Sequence, residues 1–339
     1  MLGSVHDADD ALQDTMLRAW RGAAGLRDAS SARSWLYSIA TNVCLTELER
    51  RRKRMLPHEF GPAAAPHTPP GVPEIESTWI EPYPSEAVGI TPGRVNPEAS
   101  YEQREGLELA FVAALQHLAA TQRAMLILRE VMGFSASEVA TMLQTTVASV
   151  NSGLQRARAA VRERVGPRTQ QQALRSLGDG GLHRLVERYV EAWERNDVDA
   201  FTALLVEDAT FAMPPLTTWY TPRGTIAIWA RESSLSGVWR WKPVLTEANA
   251  QPALAFYSWD EAAEAYLPFA LNVLSLRDGL VSDVTAFIVR TIGAAEPEAY
   301  QRFPERPINQ RQVSIAFERF GLPDRLAQTA SFPPGGTSA

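Results

Sequence analysis

The stretch SASEVATMLQTTVASVNSGLQRARAAVRERV, residues 135–165, decides how this chain is built. Ser135 or Ser137 can cap a first short helix, and Thr145 or Thr146 a second. Two short helices separated by Gln144-Thr145-Thr146 match a helix-turn-helix. At about 100° per residue, Val147, Val150, Leu154, Ala157 and Val161 share one face and belong to a core. Ser149, Ser152 and Arg156 project almost opposite, flanked by Asn151 and Gln155. That set suits base edges: Arg for guanine, Asn and Gln for adenine, Ser for either. Arg158, Arg162 and Arg164 suit phosphates or solvent. Helical hairpins that bind no DNA can carry the same pattern.

Upstream, ELAFVAALQHL places Leu107, Phe111, Ala114, Leu115 and Leu118 on one stripe. Ala119-Ala120-Thr121 then breaks the helix, and Thr121 is expected to cap TQRAMLILREVMGF. These helices make residues 101–166 one all-α module. Before it, residues 56–100 are rich in Pro, Gly and Ala (GPAAAPHTPPGVP, EPYPSEAVGITPGRVNP) without an apolar period, so they read as a linker. Such a segment is extended and semi-rigid and could hold two modules tens of ångströms apart.

Residues 1–55 form the other helical module. In DADDALQDTMLRAWRG, Leu12, Met16 and Ala19 or Trp20 recur at helical spacing. The remaining face carries Asp7, Asp9, Asp10, Gln13, Asp14 and Arg18, either as a solvated face with acids near a helix start or as a docking face for a basic partner. SARSWLYSIATNVCLTELERRRKR is a second helix with the stripe Trp35, Leu36, Ile39, Ala40 and Val43, ending in the basic run Arg50–Arg54. A charge run by itself is usually a solvated face. Here Trp35, Tyr37 and Asn42 lie one to two turns upstream, and aromatic and amide groups beside a basic track are equipment for single-stranded DNA.

Beyond the polar stretch RTQQQALRSLGDGG the character changes. HRLVERYVEAWER and DVDAFTALL read as helices, followed by aromatic and β-branched runs: ATFAM, VWRWKPVLTEA, ALAFYSW, AYLPFALNVLSL and LVSDVTAFIV. Asp278-Gly279 is a hairpin signal. Helices followed by antiparallel strands mean α+β.

The 339 residues imply two or three domains, and the net charge of −6 argues against indiscriminate coating of nucleic acid without excluding local binding. Apolar runs fall short of the roughly 20 residues that span a bilayer, so no membrane association is expected. One cysteine, Cys44, leaves no intramolecular disulfide and no Cys-based zinc cage; no metal or cofactor is expected, and the cytoplasm is the expected location.

Together, DADDALQDTMLRAWR, RSWLYSIATNVCLTELERRRKR, LQHLAATQRAMLILREVMGFSASEVATML and VASVNSGLQRARAAVRE resemble the sigma-70 family, extracytoplasmic-function group. The resemblance spans residues 1–165 and implies a factor that binds core RNA polymerase and directs transcription from specific promoters. It implies that Asp7, Asp10, Gln13, Asp14 and Arg18 meet the coiled coil of the polymerase β′ subunit. It implies that Trp35, Tyr37, Asn42, Arg50, Arg51 and Arg52 serve the −10 strand, and Ser149, Asn151, Ser152, Gln155, Arg156 and Arg158 the −35 groove. The second module's scaffold would meet the β flap. The family normally carries a further helix before DADD, ending in a stretch like Met1-Leu2-Gly3-Ser4, so the chain is expected to begin one helix late.

Residues 181–292 resemble the SnoaL-like, NTF2-like cone, and the long linker with this domain points to the sigma-G-like subgroup. The fold class is thus multidomain: two all-α modules plus an α+β cone. Trp193, Trp219, Tyr220 and Phe269 are pocket candidates for a small apolar ligand, or ordinary core aromatics; Phe211, Met213, Tyr257 and Phe287 belong to the same set. Asp208, Asp260, Asp283 and His183 show no diagnostic catalytic spacing, so the expectation is a regulatory domain and not an enzyme. The rival reading is a ligand-binding or cyclase-type enzyme tethered to DNA-binding helices. Residues 293–339 form an extension with a disordered tail, which Phe317, Phe320, Leu322 and Leu326 could anchor to a domain surface.

Overall fold

The computed structural model describes residues 1–25, 28, 31–71, 74, 79–85, 104–165, 168–289 and 316–328. The chain divides into two units. One holds Met1–Met55, Ser77–Tyr83 and Gly89–Thr169; the other holds Leu56–Glu76, Pro84–Val88 and Gln170–Ala339.

The helical unit begins with α1 (Val5–Gly22), whose N-cap Ser4 accepts the Asp7 N–H, and α2 (Ala32–Arg50). The stripe Leu12, Met16, Trp20 faces outward, at 54, 55 and 79 % exposure. The buried line is Asp7, Ala11, Thr15 and Ala19. Small side chains there let α1 settle close to α2, and a buried arginine, Arg54, draws the Asp7 carboxylate inward. Leu2, Ala11 and Val43, with Ile39, Cys44 and Leu48 packed on them, form this module's small core. Ser4→Ala should cost about 1 kcal/mol by removing the cap, read as a shifted urea midpoint.

The second helical module holds α3 (Leu109–Leu115), α4 (Ala120–Leu126) running into a π-helical turn at Ile127–Val131, α5 (Ala136–Met142) and α6 (Val147–Val165). Ala119 is the N-cap of α4, so Thr121 lies inside the helix and does not cap it. Ser135 caps α5 in a capping box with Glu138, whose carboxyl is held below its ordinary pKa chiefly by hydrogen bonds from Ser135. Thr146 caps α6 by accepting the Ser149 N–H, and Gln144 makes the turn at φ 51°.

The two helical modules are not held apart. Tyr37 of α2 packs into the cluster of Met125, Leu128, Phe134 and Val139. The expected spacer is also partly structured. Arg54 donates to the Trp79 carbonyl, and Val5 N–H donates to Glu81, so this stretch packs with the helical unit. Apolar and aromatic residues inside a Pro-rich run give it surfaces to bury, which composition by itself does not display. Residues 72–73, 75–78 and 86–103 lie outside the described residues, as do 290–292 of the expected cone and 293–315 and 329–339 of the expected extension.

The second unit opens with α7 (Gln170–Glu194), broken at Gly178 (φ 66°, ψ 164°), and α8 (Val198–Thr202), N-capped by Asp197. The stretch 168–181 is therefore mostly helical. Its glutamines strap it to the sheet: Gln170 exchanges hydrogen bonds with the Leu276 backbone, and buried Gln171 donates to the Ala250 carbonyl. The sheet comprises β1 (Leu205–Ala212), β2 (Trp219–Tyr220), β3 (Trp241–Ala248), β4 (Gln251–Asp260), β5 (Ala265–Arg277) and β6 (Leu280–Ile288), with α9 (Arg223–Glu232) after β2. Strand order is β2-β1-β6-β5-β4-β3, antiparallel except for the parallel β1–β6 pair. Asp278 and Gly279 turn β5 into β6 with φ of 52° and 80°, the backbone a two-residue hairpin requires. Tyr189, Trp193, Phe201, Phe211, Trp229, Trp241 and Phe256 fill the interior between helices and sheet.

Candidate nucleic-acid interface

Helix α6 presents two faces. Val150, Gly153, Leu154, Ala157 and Val161 are buried. Gly153 lets α6 lie close on α4: a Cβ there would lie 2.4 Å from the Met125 sulfur, so any other residue requires that flexible side chain to move. Val147, expected on that face, is 44 % exposed because the helix starts at it, one turn short of the core. Ser149, Asn151, Ser152, Gln155, Arg156 and Arg158 are all exposed. Arg156 donates to the Ser152 hydroxyl at 2.6 Å, which holds the guanidinium along the helix. Arg158 instead reaches Glu130 at 2.5 Å, and this carboxylate raises the arginine's pKa. Within the expected groove set, Arg158 is thus tied to its own scaffold.

On α2 the expected strand-binding residues separate. Trp35 and Asn42 are seven residues apart and share a helix face; Tyr37 lies on another. Trp35 is half-buried against Gly22, and Asn42 is exposed. Tyr37 meets the Phe134 ring edge-on at 5.1 Å between centroids. Arg33, which sequence reasoning passed over, lies 4.3 Å from that ring's centroid and donates to the Met132 carbonyl at 2.7 Å. The face bearing Tyr37 is therefore covered by the turn before α5. A basic residue beside an aromatic one, Arg33-Ser34-Trp35, was the signal available.

The basic run also divides. Arg50 and Arg52 are exposed. Arg51 pairs with Asp7 and, at 3.1 Å, with Glu47. Arg54, 6 % exposed, donates to the Asp7 carboxylate from Nη2 at 2.6 Å and Nε at 3.2 Å, and burial lowers its pKa. Asp7, expected to face a partner, is 5 % exposed and committed inside the module. Asp10, Gln13 and Arg18 are exposed, and half-buried Asp14 pairs with Arg18 at 2.8 Å.

In the second unit Trp193 and Tyr220 are buried, and Trp219 and Phe269 half-buried. Trp193 stands at the centre, with Phe256 at 4.7 Å and Phe201 at 5.3 Å between centroids. Trp219 and Tyr220 hold chain instead: the indole donates to the Gly61 carbonyl and the phenol to that of Thr68. The Ala64 and Glu74 N–H groups donate to the backbone of Trp219 and Pro215, so the Pro-rich segment lies along this edge. Asp208 pairs with Arg277, Asp283 accepts from Thr210 and Ser282, Asp260 accepts the Ala263 N–H, and His183 faces Glu187 at the surface. These four do not converge on one another. Phe317 is buried edge-on against Tyr257, and Leu326 exchanges backbone hydrogen bonds with Tyr266, so the described part of the extension is anchored as expected. Among the described residues no cluster of His, Cys, Asp or Glu is placed to hold a metal, and no helix is long and apolar enough to cross a membrane.

Comparison with known proteins follows this division. Residues 1–54 match the model of sigma-70 region 2, residues 108–161 that of sigma-70 region 4, and residues 186–284 that of the SnoaL-like domain. The chain is similar to the ECF RNA polymerase sigma factor SigG of Mycobacterium tuberculosis, with 36 % identity over 327 residues, 96 % of this chain and 80 % of that protein. It is 31 % identical over 161 residues to the ECF RNA polymerase sigma factor SigM of the same organism, covering 48 % of this chain and 65 % of that protein. The crystal structure of the Mycobacterium tuberculosis extracytoplasmic-function sigma factor SigJ has the same fold at a TM-score of 0.51 and 19 % identity, over 90 % of this chain and 93 % of that one.

Proposed function

Because the chain belongs to the extracytoplasmic-function RNA polymerase sigma factors, we propose the following division of labour among its parts. It is a sigma factor with a SnoaL-like C-terminal domain, binding core RNA polymerase and promoter DNA. The recognition surface is α6: Asn151, Ser152, Gln155 and Arg156 read the −35 groove, with Ser149 at its entrance. The observation that carries this is the segregation of α6, polar and exposed on one side, apolar and locked to α4 through Gly153 on the other. Arg50 and Arg52 neutralise backbone phosphate near the −10 element, while Trp35 and Asn42 face the displaced strand. Tyr37 joins them only when the contact with Phe134 opens. The exposed side of α1 meets the polymerase β′ coiled coil, and the second module meets the β flap.

The SnoaL-like domain regulates and does not catalyse, since its acidic residues and histidine are spread over separate surface pairs. The cytoplasm is where polymerase and promoter meet. A tethered enzyme is the less favoured reading.

Run-off transcription with core polymerase over a promoter library tests the assignment. Arg156→Ala should relax discrimination at one −35 position by about 1–3 kcal/mol, roughly 5- to 150-fold. No promoter-specific transcript from the unaltered chain would overturn the reading.

A further inference from the structure

We infer that the helical unit carries a binding site for a small phosphate-bearing solute in the cavity between the end of α2 and the start of α4. The inference does not rest on the promoter-binding assignment, though the two share Arg52, which lines this cavity. The cavity measures about 180 Å³ and is lined by Arg51, Arg52, Lys53, Arg54 and Arg123 against two acids, Asp7 and Glu47. Both acids are engaged on one side, Asp7 by Arg51 and Arg54, Glu47 by Arg51.

Arg123 is the anchor. It is 5 % exposed, and its hydrogen bonds go to neutral oxygens: the carbonyls of Met1, Gln116 and Leu118 and the Gln116 amide oxygen. Capping the end of α3 explains those bonds, and the helix dipole offsets about half a charge. The Nε–H remains buried without a partner, and burial pulls the guanidinium pKa down to about 10. A buried cation without an ionic partner is costly, and an anion in the adjoining cavity compensates it.

The positive excess continues at the surface. Lys53 Nζ lies 2.7 Å from His117 Nδ1, and Arg164 Nη2 lies 3.0 Å from the same nitrogen, so two cations converge on one imidazole. Guanidinium forks with a nearby ammonium match phosphate oxygens. Because the segment just after α2 supplies four of the cations and α4 the fifth, an occupant would also brace the two helical modules together.

Calorimetric titration of the full chain with inorganic triphosphate at fixed ionic strength tests this. One-to-one saturable binding is expected, weakened at least about tenfold in both Lys53→Ala and Arg123→Gln by loss of a charge-assisted hydrogen bond, and unchanged in Arg188→Ala on α7. Should Arg123→Gln fail to fold, exposed Lys53 decides the matter. Absence of saturable binding, or wild-type affinity in the Lys53 variant, overturns the inference. So does displacement by an oligothymidylate at equal phosphate concentration, which would assign the pocket to a DNA backbone.

Discussion

Asp7→Ala is expected to destabilise the helical unit by about 3–5 kcal/mol, the cost of removing one partner from a buried ion pair. The carboxylate is 5 % exposed and accepts from both Arg51 and Arg54, and Arg54 is itself 6 % exposed. Without Asp7, the Arg54 guanidinium keeps the Trp79 carbonyl at 2.7 Å and Glu81 at 3.7 Å, neither of which replaces a two-point carboxylate. The comparison is Asp14→Ala, which breaks an exposed i,i+4 pair with Arg18 and should cost no more than about 1 kcal/mol. Urea denaturation monitored by circular dichroism separates them. Equal midpoints for the two variants would show that the pair is not holding the module together. In transcription, Asp7→Ala should therefore lose activity in parallel with folded fraction, not through a lost partner contact.

Asp7 also shows where the sequence is legible and where it is not. In DADDALQD every acid looks alike, because periodicity ranks positions by polarity and cannot see an arginine arriving from 47 residues away. Likewise Leu12, Met16 and Ala19 or Trp20 recur at helical spacing, and that spacing does not show that the helix buries Ala19 with Ala11 and Thr15 while Leu12, Met16 and Trp20 face outward. Helix α6 was readable because its core face is strictly apolar, and its one discrepancy, Val147, is the helix's first residue, just after the Thr146 cap. The β5–β6 hairpin was readable because Asp278-Gly279 encodes its own backbone angles. The role of Trp219 and Tyr220 was not, since holding Gly61 and Thr68 depends on a chain segment about 150 residues earlier. Local chemistry is encoded locally; pairings across the chain are set by packing. The Arg123 anchor belongs to the second kind, an ordinary helix residue until α3 is seen to end against it.

Replacing Met16 and Trp20 together by alanine should weaken assembly with core RNA polymerase by about 2–4 kcal/mol, roughly 30- to 1000-fold, while leaving the helical unit folded. Trp20 is 79 % exposed, and Leu12, Met16 and Leu17 each exceed half exposure on the same helix. A contiguous apolar face of this kind is a surface for burial, by a partner or by the further helix the family carries ahead of this segment, and an exposed tryptophan is the residue type that most often anchors an interface. The buried line of α1 is untouched by the replacement, so the thermal melt should stay within about 0.5 kcal/mol of the unaltered chain. Asp10→Asn on the rim should act differently, slowing association and flattening its salt dependence with little change in dissociation. Anisotropy titration of labelled chain with core polymerase reads both effects. Wild-type affinity in the double variant would move the docking surface away from α1. Loss of affinity in the rim variant alone would make the contact electrostatic, with the apolar face left for another partner.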